Sequence, residues 1–447
     1  MSSEEMEVAE TNHSENEDLN ETEEMDEGDE NGKSDAPKEV YLPAKQLEEG
    51  EELVCDKSVY VMYHQATTSS PCLSFDVIKD NLGDNRDTFP LTAYVVAGTQ
   101  SPQAHTNNII VMKLSNMHKT GKENDDDEEE DSDEEDEDEE KKPKMAGALI
   151  KHQGTVNRIR STVYGEVVIA ASWSELGKVN LWNLTTQLQA VDNDAKLVKY
   201  NKEQSNTVKP IYTFTGHQKE GFALDWCPTA SGTLATGDCK RDIHIWKPGD
   251  NLTSWAVDQR PLVGHTDSVE DIQWSPNERS VLASCSVDKS IRIWDVRAAP
   301  NKACMLTADN AHESDVNVIN WNKNEPFIVS GGDDGVLRVW DLRKFKDKTP
   351  LAIFKHHTAP IVSVEWHHTD APVFASGGAD NQIALWDLSV EKDAENSSEE
   401  VEGLPPQLLF IHQGQNDIKE LHWHQQLPGV IISTAESGFN IFRTISV

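Results

Sequence analysis

The stretch LVGHTDSVEDIQWSPNERSVLASCSVDKSIRIWD, residues 262–295, decides how this chain folds, because its pattern recurs along most of the sequence. Its landmarks are His265 near the start and Trp294 near the end. Around them, apolar residues alternate in short runs such as IRIW, and Gly, Asp, Asn and Pro interrupt the runs. A period of two with frequent turns is typical of β-strands. A repeated module of short strands therefore predicts an all-β protein.

The module is visible six times, and its internal spacing is nearly constant. The histidine precedes the closing aromatic residue by 28–30 positions in every copy. The closing aromatic residues themselves lie 64, 48, 46, 46 and 56 positions apart. Rigid modules joined by loops that accept insertions give this combination. The histidine and aromatic pairs are His152/Trp182, His217/Trp246, His265/Trp294, His312/Trp340, His357/Trp386 and His412/Phe442.

Three modules contain a complete set of polar residues that can hydrogen bond to one another. A buried indole N–H, a hydroxyl, an imidazole and a carboxylate can satisfy each other in a chain that holds a turn against its strands. Because the set is repeated, we interpret it as structural rather than as a catalytic triad. In the other modules Lys240, Leu176 and Glu436 replace the Asp, which predicts that packing holds those blades. The complete sets are His265, Ser284, Asp288, Trp294; His312, Ser330, Asp334, Trp340; and His357, Ser376, Asp380, Trp386.

The module resembles the WD repeat, which begins with Gly-His and closes with Trp-Asp. The resemblance implies a β-propeller of four-stranded blades. A seventh blade is expected upstream, where residues 91–98 and 108–114 have strand patterning without the His and Trp. We expect residues 72–77 to close the ring by pairing with the last blade, which removes an exposed sheet edge. The predicted fold class is all-β, a seven-bladed WD40 β-propeller over residues 67–447, with a short N-terminal helix and disordered acidic tracts.

Most of the negative charge is confined to two segments. The chain has 447 residues and a formal charge of −39. Residues 1–40 carry 16 acids and 2 bases, and residues 123–140, within an insert at 119–145, carry 16 acids and no base. Segments this poor in apolar residues are predicted to be disordered. Sequence-specific nucleic-acid binding is not expected, since such charge repels phosphates unless bases cluster.

The acidic insert is expected to bind polycations, because its charge density exceeds what solubility needs. Ser132, surrounded by acids, is a candidate phosphosite for an acid-directed kinase. The run at 141–144, KKPK, either resembles a minimal nuclear import signal or balances the charge beside it. The residues chosen to represent the tract are Asp125, Asp126, Asp127, Glu128, Glu129 and Glu130.

Two segments outside the repeats could contact a partner. Residues 41–66 predict a short helical segment with an apolar stripe, packed on the propeller edge. This segment either caps the edge and does nothing more, or forms a groove for a partner's helix. An acidic loop at 389–405 precedes the last blade. The candidate partner-contact residues are Leu53, Val59, Met62 and Tyr63 in the N-terminal segment and Glu399, Glu400, Glu402, Pro405 and Pro406 in and beside the acidic loop.

No catalytic motif is present, and function is expected to reside on surfaces. The sequence contains no Walker loop, H-E-x-x-H or G-x-S-x-G motif, so we predict a non-enzymatic protein without a cofactor or metal. No run approaches the roughly 18–20 apolar residues that cross a bilayer, and no export signal begins the chain, so no membrane contact is expected. In a propeller, the loop with the repeat histidine opens on the top face. Carboxylates beside an aromatic ring there suit a Lys- or Arg-bearing peptide. The candidates are Asn157, Glu220, Phe222, Glu270, Asp315 and Asn317.

Several stretches carry a closer resemblance, among them KEGFALDW at 219–226, PPQLLFIH at 405–412 and the glutamate-rich N-terminus. They are similar to the retinoblastoma-associated histone-binding propellers and, within them, to the glutamate-rich WD repeat family of ribosome-assembly factors. The resemblance implies a monomeric chaperone of the nucleus and nucleolus. Its implied clients are a newly made large-subunit ribosomal protein and histones, and it would act on pre-ribosomal particles. Departures from the family are Gly50 within the predicted helix, and Pro360 and Val362 at one mouth position.

A second function class stays open. Residues 294–297, WDVR, and 340–343, WDLR, resemble the boxes with which some propellers dock on the adaptor of cullin ubiquitin ligases. Arg297 and Arg343 would then contact the adaptor. Alternatively, each arginine pairs with a nearby acid and has no partner protein.

Overall fold

The alternating apolar residues form short antiparallel strands in the computed structural model, which describes residues 54–120, 142–203, 205, 207–391 and 404–447. Cys55–Val447 form one compact unit. Several predicted site residues lie outside the described residues: Leu53, residues 125–130, Ser132, Glu399, Glu400 and Glu402.

Within the described residues, 28 strands form seven four-stranded antiparallel sheets, which confirms the seven-bladed propeller. Blades 1 and 2 contain β2 (Cys72–Ile78), β3 (Leu91–Thr99), β4 (Asn108–Met117), β5 (Lys144–Lys151), and β6 (Val156–Tyr164), β7 (Val167–Ser174), β8 (Lys178–Asn183), β9 (Tyr212–Phe214). Blades 3 and 4 contain β10 (Ala223–Trp226), β11 (Leu234–Gly237), β12 (Ile243–Pro248), β13 (Trp255–Val257), and β14 (Val269–Trp274), β15 (Val281–Ser286), β16 (Ile291–Asp295), β17 (Cys304–Ala308). Blades 5 and 6 contain β18 (Val316–Trp321), β19 (Phe327–Gly332), β20 (Val336–Asp341), β21 (Ala352–Lys355), and β22 (Ile361–Trp366), β23 (Val373–Gly378), β24 (Gln382–Asp387), β25 (Leu408–His412). Blade 7 contains β26 (Ile418–Trp423), β27 (Val430–Ala435), β28 (Gly438–Thr444) and, as its outermost strand, β1 (Tyr60–Ala66).

The first strand of each blade lines the central channel. These inner strands contact one another in the ring order β2, β6, β10, β14, β18, β22, β26 and back to β2. The hydrophobic core lies between neighbouring blades, because each cluster of buried apolar side chains joins two adjacent sheets. Two glycines let neighbouring blades pack closely against each other. A Cβ on Gly98 would lie 2.2 Å from Val156 Cγ1, and one on Gly331 would lie 2.4 Å from Ile361 Cγ2 of the following blade.

The ring is closed by β1 and not by residues 72–77, so that prediction was wrong. β1 pairs antiparallel with β28, with Tyr63 opposite Phe442 and Gln65 opposite Asn440. Residues 72–77 belong to the inner strand of blade 1. Both segments have strand periodicity, and only the geometry of the closed ring decides which one reaches the last blade. The propeller therefore begins at Tyr60 rather than at residue 67.

The helical stripe predicted within residues 41–66 is a strand over its last seven residues. A single 3₁₀ turn ends at Val59, and β1 follows at once. Tyr60 and Met62 are buried and alternate with the partly exposed Val61 and Tyr63, which is the period of a strand. β-Branched and aromatic residues favour this conformation over a helix. Met62 is fully buried in the core between blades 7 and 1, so it is not part of a client groove.

A helical insertion between β8 and β9 covers the outer edge of blade 1. It consists of α1 (Thr185–Val191) and α2 (Asp194–Glu203). Tyr200 Oη donates to Leu149 O at 3.0 Å, and the Asn201 amide oxygen accepts from Leu149 N–H at 3.1 Å. These contacts satisfy groups on β5 that an edge strand would otherwise expose. No helix in the described part of the chain is long and apolar enough to cross a bilayer.

Candidate binding surfaces on the propeller

The polar residues of each complete repeat form one hydrogen-bonded chain. In blade 4, Trp294 Nε1 donates to Ser284 Oγ at 2.7 Å, and this oxygen lies 2.6 Å from His265 Nε2. His265 Nδ1 lies 2.9 Å from Asp288 Oδ2. The same chains are present in blades 5 and 6, formed by His312, Ser330, Asp334, Trp340 and by His357, Ser376, Asp380, Trp386.

The protonation states in blade 4 follow from burial. Burial lowers the pKa of His265. Burial alone would raise the pKa of Asp288, but the hydrogen bond from His265 outweighs it and holds that pKa below its usual value. A neutral imidazole therefore donates from Nδ1 to an ionised carboxylate and accepts the Ser284 proton at Nε2. The chain fixes a turn to two strands, and Ser284 is 0% exposed, so a substrate cannot reach its hydroxyl in this structure.

Blade 3 has a complete polar chain as well, so the prediction that Lys240 interrupts this chain and leaves the blade held more by packing was wrong. Asp238, two residues before Lys240, lies 2.9 Å from His217 Nδ1. Thr236 Oγ1 lies 2.8 Å from His217 Nε2 and accepts from Trp246 Nε1 at 2.9 Å. The carboxylate also accepts the Lys240 N–H at 3.0 Å. The acid that holds this turn therefore stands two positions earlier in the repeat than the Asp of the complete sets.

Blades 2 and 7 use other partners for the histidine. In blade 2, His152 Nδ1 lies 2.9 Å from the Gly154 carbonyl oxygen. In the seventh repeat, the histidine is His412, the last residue of β25 in blade 6, whose Nδ1 lies 2.7 Å from the Tyr60 hydroxyl of the closing strand and whose ring stacks on Phe442 of blade 7. Burial lowers the pKa of His412 to about 3, so the ring is neutral. The tyrosine therefore replaces the acid and also ties β1 to blade 6.

The predicted mouth residues lie at the starts of the inner strands. Asn157, Glu270 and Asn317 stand where the pairing between the inner strand and its neighbour shifts register. Such a bulge leaves one residue unpaired and re-aims its side chain. Phe222 directly precedes β10. Among the described residues the shift occurs in six blades, at Leu73, Asn157, Glu270, Asn317, Val362 and Lys419.

Carboxylates gather on the side of the mouth formed by blades 3 to 5. Glu220, Glu270 and Asp315 are partly buried. Burial raises the pKa of both Glu270 and Asp315, which means that an arriving cation would relieve an unfavourable state. Asn157 donates to Glu220 Oε2 at 2.9 Å, and Asn317 donates to Asp333 Oδ1 at 2.8 Å. The two amides hold carboxylates in place rather than presenting free donors.

An apolar cluster occupies the edge between blades 6 and 7. The Tyr60 ring stacks on Tyr63 at 5.1 Å and meets Phe410 edge-on at 5.5 Å. Val59 and Leu409 pack against the same cluster and stay partly exposed. The turn that contains Pro405 and Pro406 leads directly into β25, with Leu408 N–H donating to Pro405 O at 3.0 Å.

Arg297 and Arg343 are each paired with the aspartate of their own W-D dipeptide. Arg297 Nη2 lies 2.6 Å from Asp295 Oδ2, and Arg343 Nε donates to Asp341 Oδ1 at 2.8 Å. The two arginine side chains remain 74% and 63% exposed. Water and salt screen ion pairs this exposed, so either arginine can exchange its partner.

The sequence analysis missed a buried ion network in the central channel. Glu420 accepts from Arg158 Nη1 at 2.7 Å and from Arg160 Nη2 at 2.6 Å. His422 Nδ1 lies 3.0 Å from Glu365 Oε2. Burial alone would lower the pKa of His422, but the two carboxylates beside it outweigh burial and raise the pKa to about 10. The only sequence signal is alternation, which places residues 158 and 160, and likewise 420 and 422, on the channel side of their strands.

The ring of seven blades and the repeated polar chains define a WD-repeat propeller. The family described as WD domain, G-beta repeat matches residues 257–295, 303–341 and 348–387. The family of the histone-binding protein RBBP4, a component of the CAF1 complex, matches residues 50–118, which include β1 to β4.

Relatives match along nearly the whole chain. Protein HEAT STRESS TOLERANT DWD 1 of Arabidopsis thaliana is 43% identical over 92% of each chain. Glutamate-rich WD repeat-containing protein 1 of Dictyostelium discoideum is 45% identical over 92% of this chain and 86% of its own. Ribosome assembly protein rrb1 of Schizosaccharomyces pombe is 42% identical over 94% of this chain and 88% of its own. The chain belongs to this family of glutamate-rich WD repeat and ribosome assembly proteins.

Proposed function

We propose that this protein is a non-enzymatic acidic chaperone that holds a basic client during ribosome assembly in the nucleus and nucleolus. The proposed client is a newly made large-subunit ribosomal protein, delivered to pre-ribosomal particles. The name of the fission-yeast relative supports the process. The observation that carries the mechanism is the group of three partly buried carboxylates at or just before the inner strands of blades 3 to 5, namely Glu220, Glu270 and Asp315.

The chemistry of client capture follows from these groups. A free ribosomal protein exposes many Lys and Arg side chains that other polyanions would bind. The acidic segments at 1–40 and 123–140 lower the local potential and attract such a client at long range. At the mouth, Glu270 and Asp315 gain a cation that favours their charged form, and the Phe222 ring adds a cation–π contact. Ribosomal RNA, with a denser array of charge, then displaces the chaperone.

Histones are the second proposed client. The match of residues 50–118 to a histone-binding family supports this extension. The apolar cluster of Val59, Tyr63, Leu409 and Phe410 offers a surface on which the apolar face of a helix can pack. Because Met62 points into the core, a helix on this surface would contact the tyrosine and the blade 6 strand instead.

The test is binding of purified large-subunit ribosomal proteins to the full chain over a range of salt concentrations. We expect Glu270→Lys to weaken binding roughly tenfold or more, because it places a like charge beside the client's cations. The matched control is Glu278→Lys, an exposed charge reversal in the β14–β15 connection at the opposite end of the same blade. Deleting residues 123–140 should reduce both the affinity and its salt dependence. Unchanged affinity for the deletion and for Glu270→Lys would refute the proposal.

A second proposed function is that of a substrate adaptor for a cullin ubiquitin ligase. The exposure of Arg297 and Arg343 on neighbouring blades favours it. The test is recovery of cullin ligase components with tagged protein, which the double variant Arg297→Ala, Arg343→Ala should abolish. Recovery that is equal for parent and double variant, or absent from both, would exclude this role.

Two proposals concern regulation and import. Phosphorylation of Ser132 would add about −1.5 to −2 charge to the acidic insert and strengthen binding of the client.

The run at 141–144 is proposed to direct nuclear import, and its last residue, Lys144, begins β5 and is exposed. A fluorescent fusion with alanines at 141–144 should remain in the cytoplasm, and unchanged nuclear accumulation would contradict the import proposal.

A further inference from the structure

A cavity lies at the end of the central channel opposite the mouth. It has a volume of about 510 Å³ and is lined by residues from all seven inner strands, most of them in the C-terminal half of their strand. Blade 3 contributes Asp225 and blade 4 contributes Gln273, and each is the second-last residue of its inner strand. The volume is within the range of about 300–1,000 Å³ typical of small-ligand pockets. Neither the repeats nor the proposed client surfaces account for this cavity.

On one side of the cavity, the polar side chains already have strong partners. Asp76 accepts from the Ser161 backbone N–H at 2.6 Å and from its hydroxyl at 2.8 Å. Arg160 donates to Glu420, while Glu365 accepts from the Trp423 N–H at 2.9 Å and pairs with His422. This side, formed by blades 6, 7, 1 and 2, is a closed hydrogen-bonded network.

On the other side, three consecutive blades present unused hydrogen-bonding atoms. Asp225 Oδ2 accepts from Trp274 N–H at 2.6 Å, but no hydrogen bond to Oδ1 occurs among the described residues. Asn320 Oδ1 accepts from Trp366 N–H at 3.0 Å, and no second hydrogen bond to this oxygen occurs within the same ranges, although an amide oxygen can accept two. The Gln273 amide likewise makes no side-chain hydrogen bond to any described residue. The three side chains face one volume, since each lines the cavity.

Asp225 is the lining carboxyl that lacks an ion pair. The carboxyl groups that line the cavity are Asp76, Asp225 and Glu365. Glu365 pairs with His422, and Asp76 accepts two hydrogen bonds from Ser161, whereas no ion pair to Asp225 occurs among the described residues. Burial raises the pKa of Asp225 to about 8, and an arriving cation would favour its charged form. Lys323 at the opening does not form that ion pair, since its Nζ lies 2.9 Å from His368 Nδ1.

Aromatic rings form part of the wall. Trp226, Trp274, Trp321 and Trp366 all line the cavity. The indole N–H of Trp274 donates to the Asp225 carbonyl, and that of Trp366 donates to the Asn320 carbonyl. Because those N–H groups are used, the two rings contribute only carbon surface to the cavity. A planar cation can lie against such surface.

We propose that this cavity binds an arginine side chain of a basic polypeptide, with the guanidinium group held by Asp225, Gln273 and Asn320. A guanidinium presents five N–H donors in one plane, which can reach acceptors on three neighbouring blades, whereas an ammonium group is a point charge with three donors. The site deepens the proposed function and rests on it for the source of the arginine, a basic client. It gives the client a second anchor on the face opposite the mouth.

The experiment is calorimetric titration of the full chain with two blocked tripeptides, Gly-Arg-Gly and Gly-Lys-Gly. We expect the arginine peptide to bind several-fold more tightly than the lysine peptide. At about pH 9, where a carboxyl with a pKa of about 8 is ionised, Asp225→Asn should weaken the arginine peptide roughly tenfold to a hundredfold, because a hydrogen bond to a charged acceptor is lost. The Asn oxygen can still accept from Trp274 N–H, and removing a buried carboxyl does not threaten folding, which the thermal midpoint checks. Glu436→Gln, an exposed carboxyl outside both proposed binding surfaces, is the control and should leave tripeptide binding unchanged.

Three results would overturn the site: equal affinity of the parent and Asp225→Asn, equal affinity for the two peptides, or competition of the arginine peptide by inorganic phosphate. Gln273→Ala provides a second variant on another blade, and an unchanged affinity would count against the three-blade geometry. Failure here is distinguishable from failure of the proposed function. If Glu270→Lys weakens ribosomal-protein binding while Asp225→Asn changes nothing, the chaperone proposal stands and only this anchor falls.

Discussion

The ion network around Glu420 gives the sharpest prediction for the stability of the ring. Glu420 on β26 accepts from Phe75 N–H at 2.8 Å and from Ser74 Oγ at 2.7 Å, both on β2. It also pairs with Arg158 and Arg160 on β6. One carboxylate therefore joins blade 7 to blades 1 and 2, across the place where the ring closes. The proposed perturbation is Glu420→Gln, which keeps the shape and removes the charge.

The expected loss is about 3 kcal/mol of unfolding free energy. Glu420 is 1% exposed, and the arginine side chains are 13% and 14% exposed, so its removal leaves two buried cations. Breaking a buried pair from one side costs about 3–5 kcal/mol. We expect the lower end of this range. Asp76 and Asp271, whose pKa values burial raises, remain beside the two arginines and can ionise to compensate in part.

The measurement is urea unfolding followed by both tryptophan fluorescence and far-ultraviolet circular dichroism, whose transitions must coincide for a free energy to be defined. Glu436→Gln, an exposed carboxyl of the same blade, is the control and should change stability by less than about 0.5 kcal/mol. If Glu420→Gln also stays within about 1 kcal/mol of the parent, the network does not hold the ring together and the reasoning is refuted.

Three further predictions test other parts of the fold. Asp238→Ala should lower the free energy of unfolding by about 1–3 kcal/mol, because it leaves His217 Nδ1 buried without an acceptor. The control Lys240→Ala should be nearly neutral. Comparable losses for the two variants would contradict the assignment of Asp238 as the acid of this blade. Tyr60→Phe should cost about 1 kcal/mol through loss of the bond to His412, and a cost near zero in urea unfolding would show that the hydroxyl does not replace the acid. Burial alone would raise the pKa of Asp334, but the hydrogen bond with His312 outweighs burial, and the pKa is lowered to about 2. Since the folded pKa lies below the unfolded value of about 3.9, this carboxylate stabilises the fold above pH 4 and loses that contribution as pH falls towards 2. Stability of Asp334→Asn should then depend less on pH in that interval, and an identical pH profile would oppose this assignment.

The repeats were predictable because each module is a local pattern. Alternation, turn residues and the constant interval between His265 and Trp294 or their equivalents are all encoded within about thirty residues. The closing strand was not predictable in the same way. Tyr60–Ala66 and Cys72–Ile78 have the same periodicity, and only one of them is placed beside β28 when the ring closes. The helices at Thr185–Val191 and Asp194–Glu203 were missed because the repeat pattern gives no information about an insertion.

The site residues likewise differ in whether the local sequence pattern predicts them. Asn157 and Glu270 could be named from their distance to the inner-strand aromatic position, but the bulges that turn them towards the mouth arise only from strand pairing. Asp238 could not be recognised as the acid of blade 3, since its approach to His217 depends on how the turn folds.

The WD-repeat class, the number of blades and the location of the excess negative charge depend on residues near one another in the chain, so they could be predicted from the order of amino acids. The identity of the closing strand and of the polar residues that share the channel depends on contacts between distant parts of the chain. Glu420 and Arg160 are 260 positions apart and meet at 2.6 Å. The physical reason is that a closed ring brings the first and last blades into contact, and the low dielectric between them turns isolated charges into one coupled network.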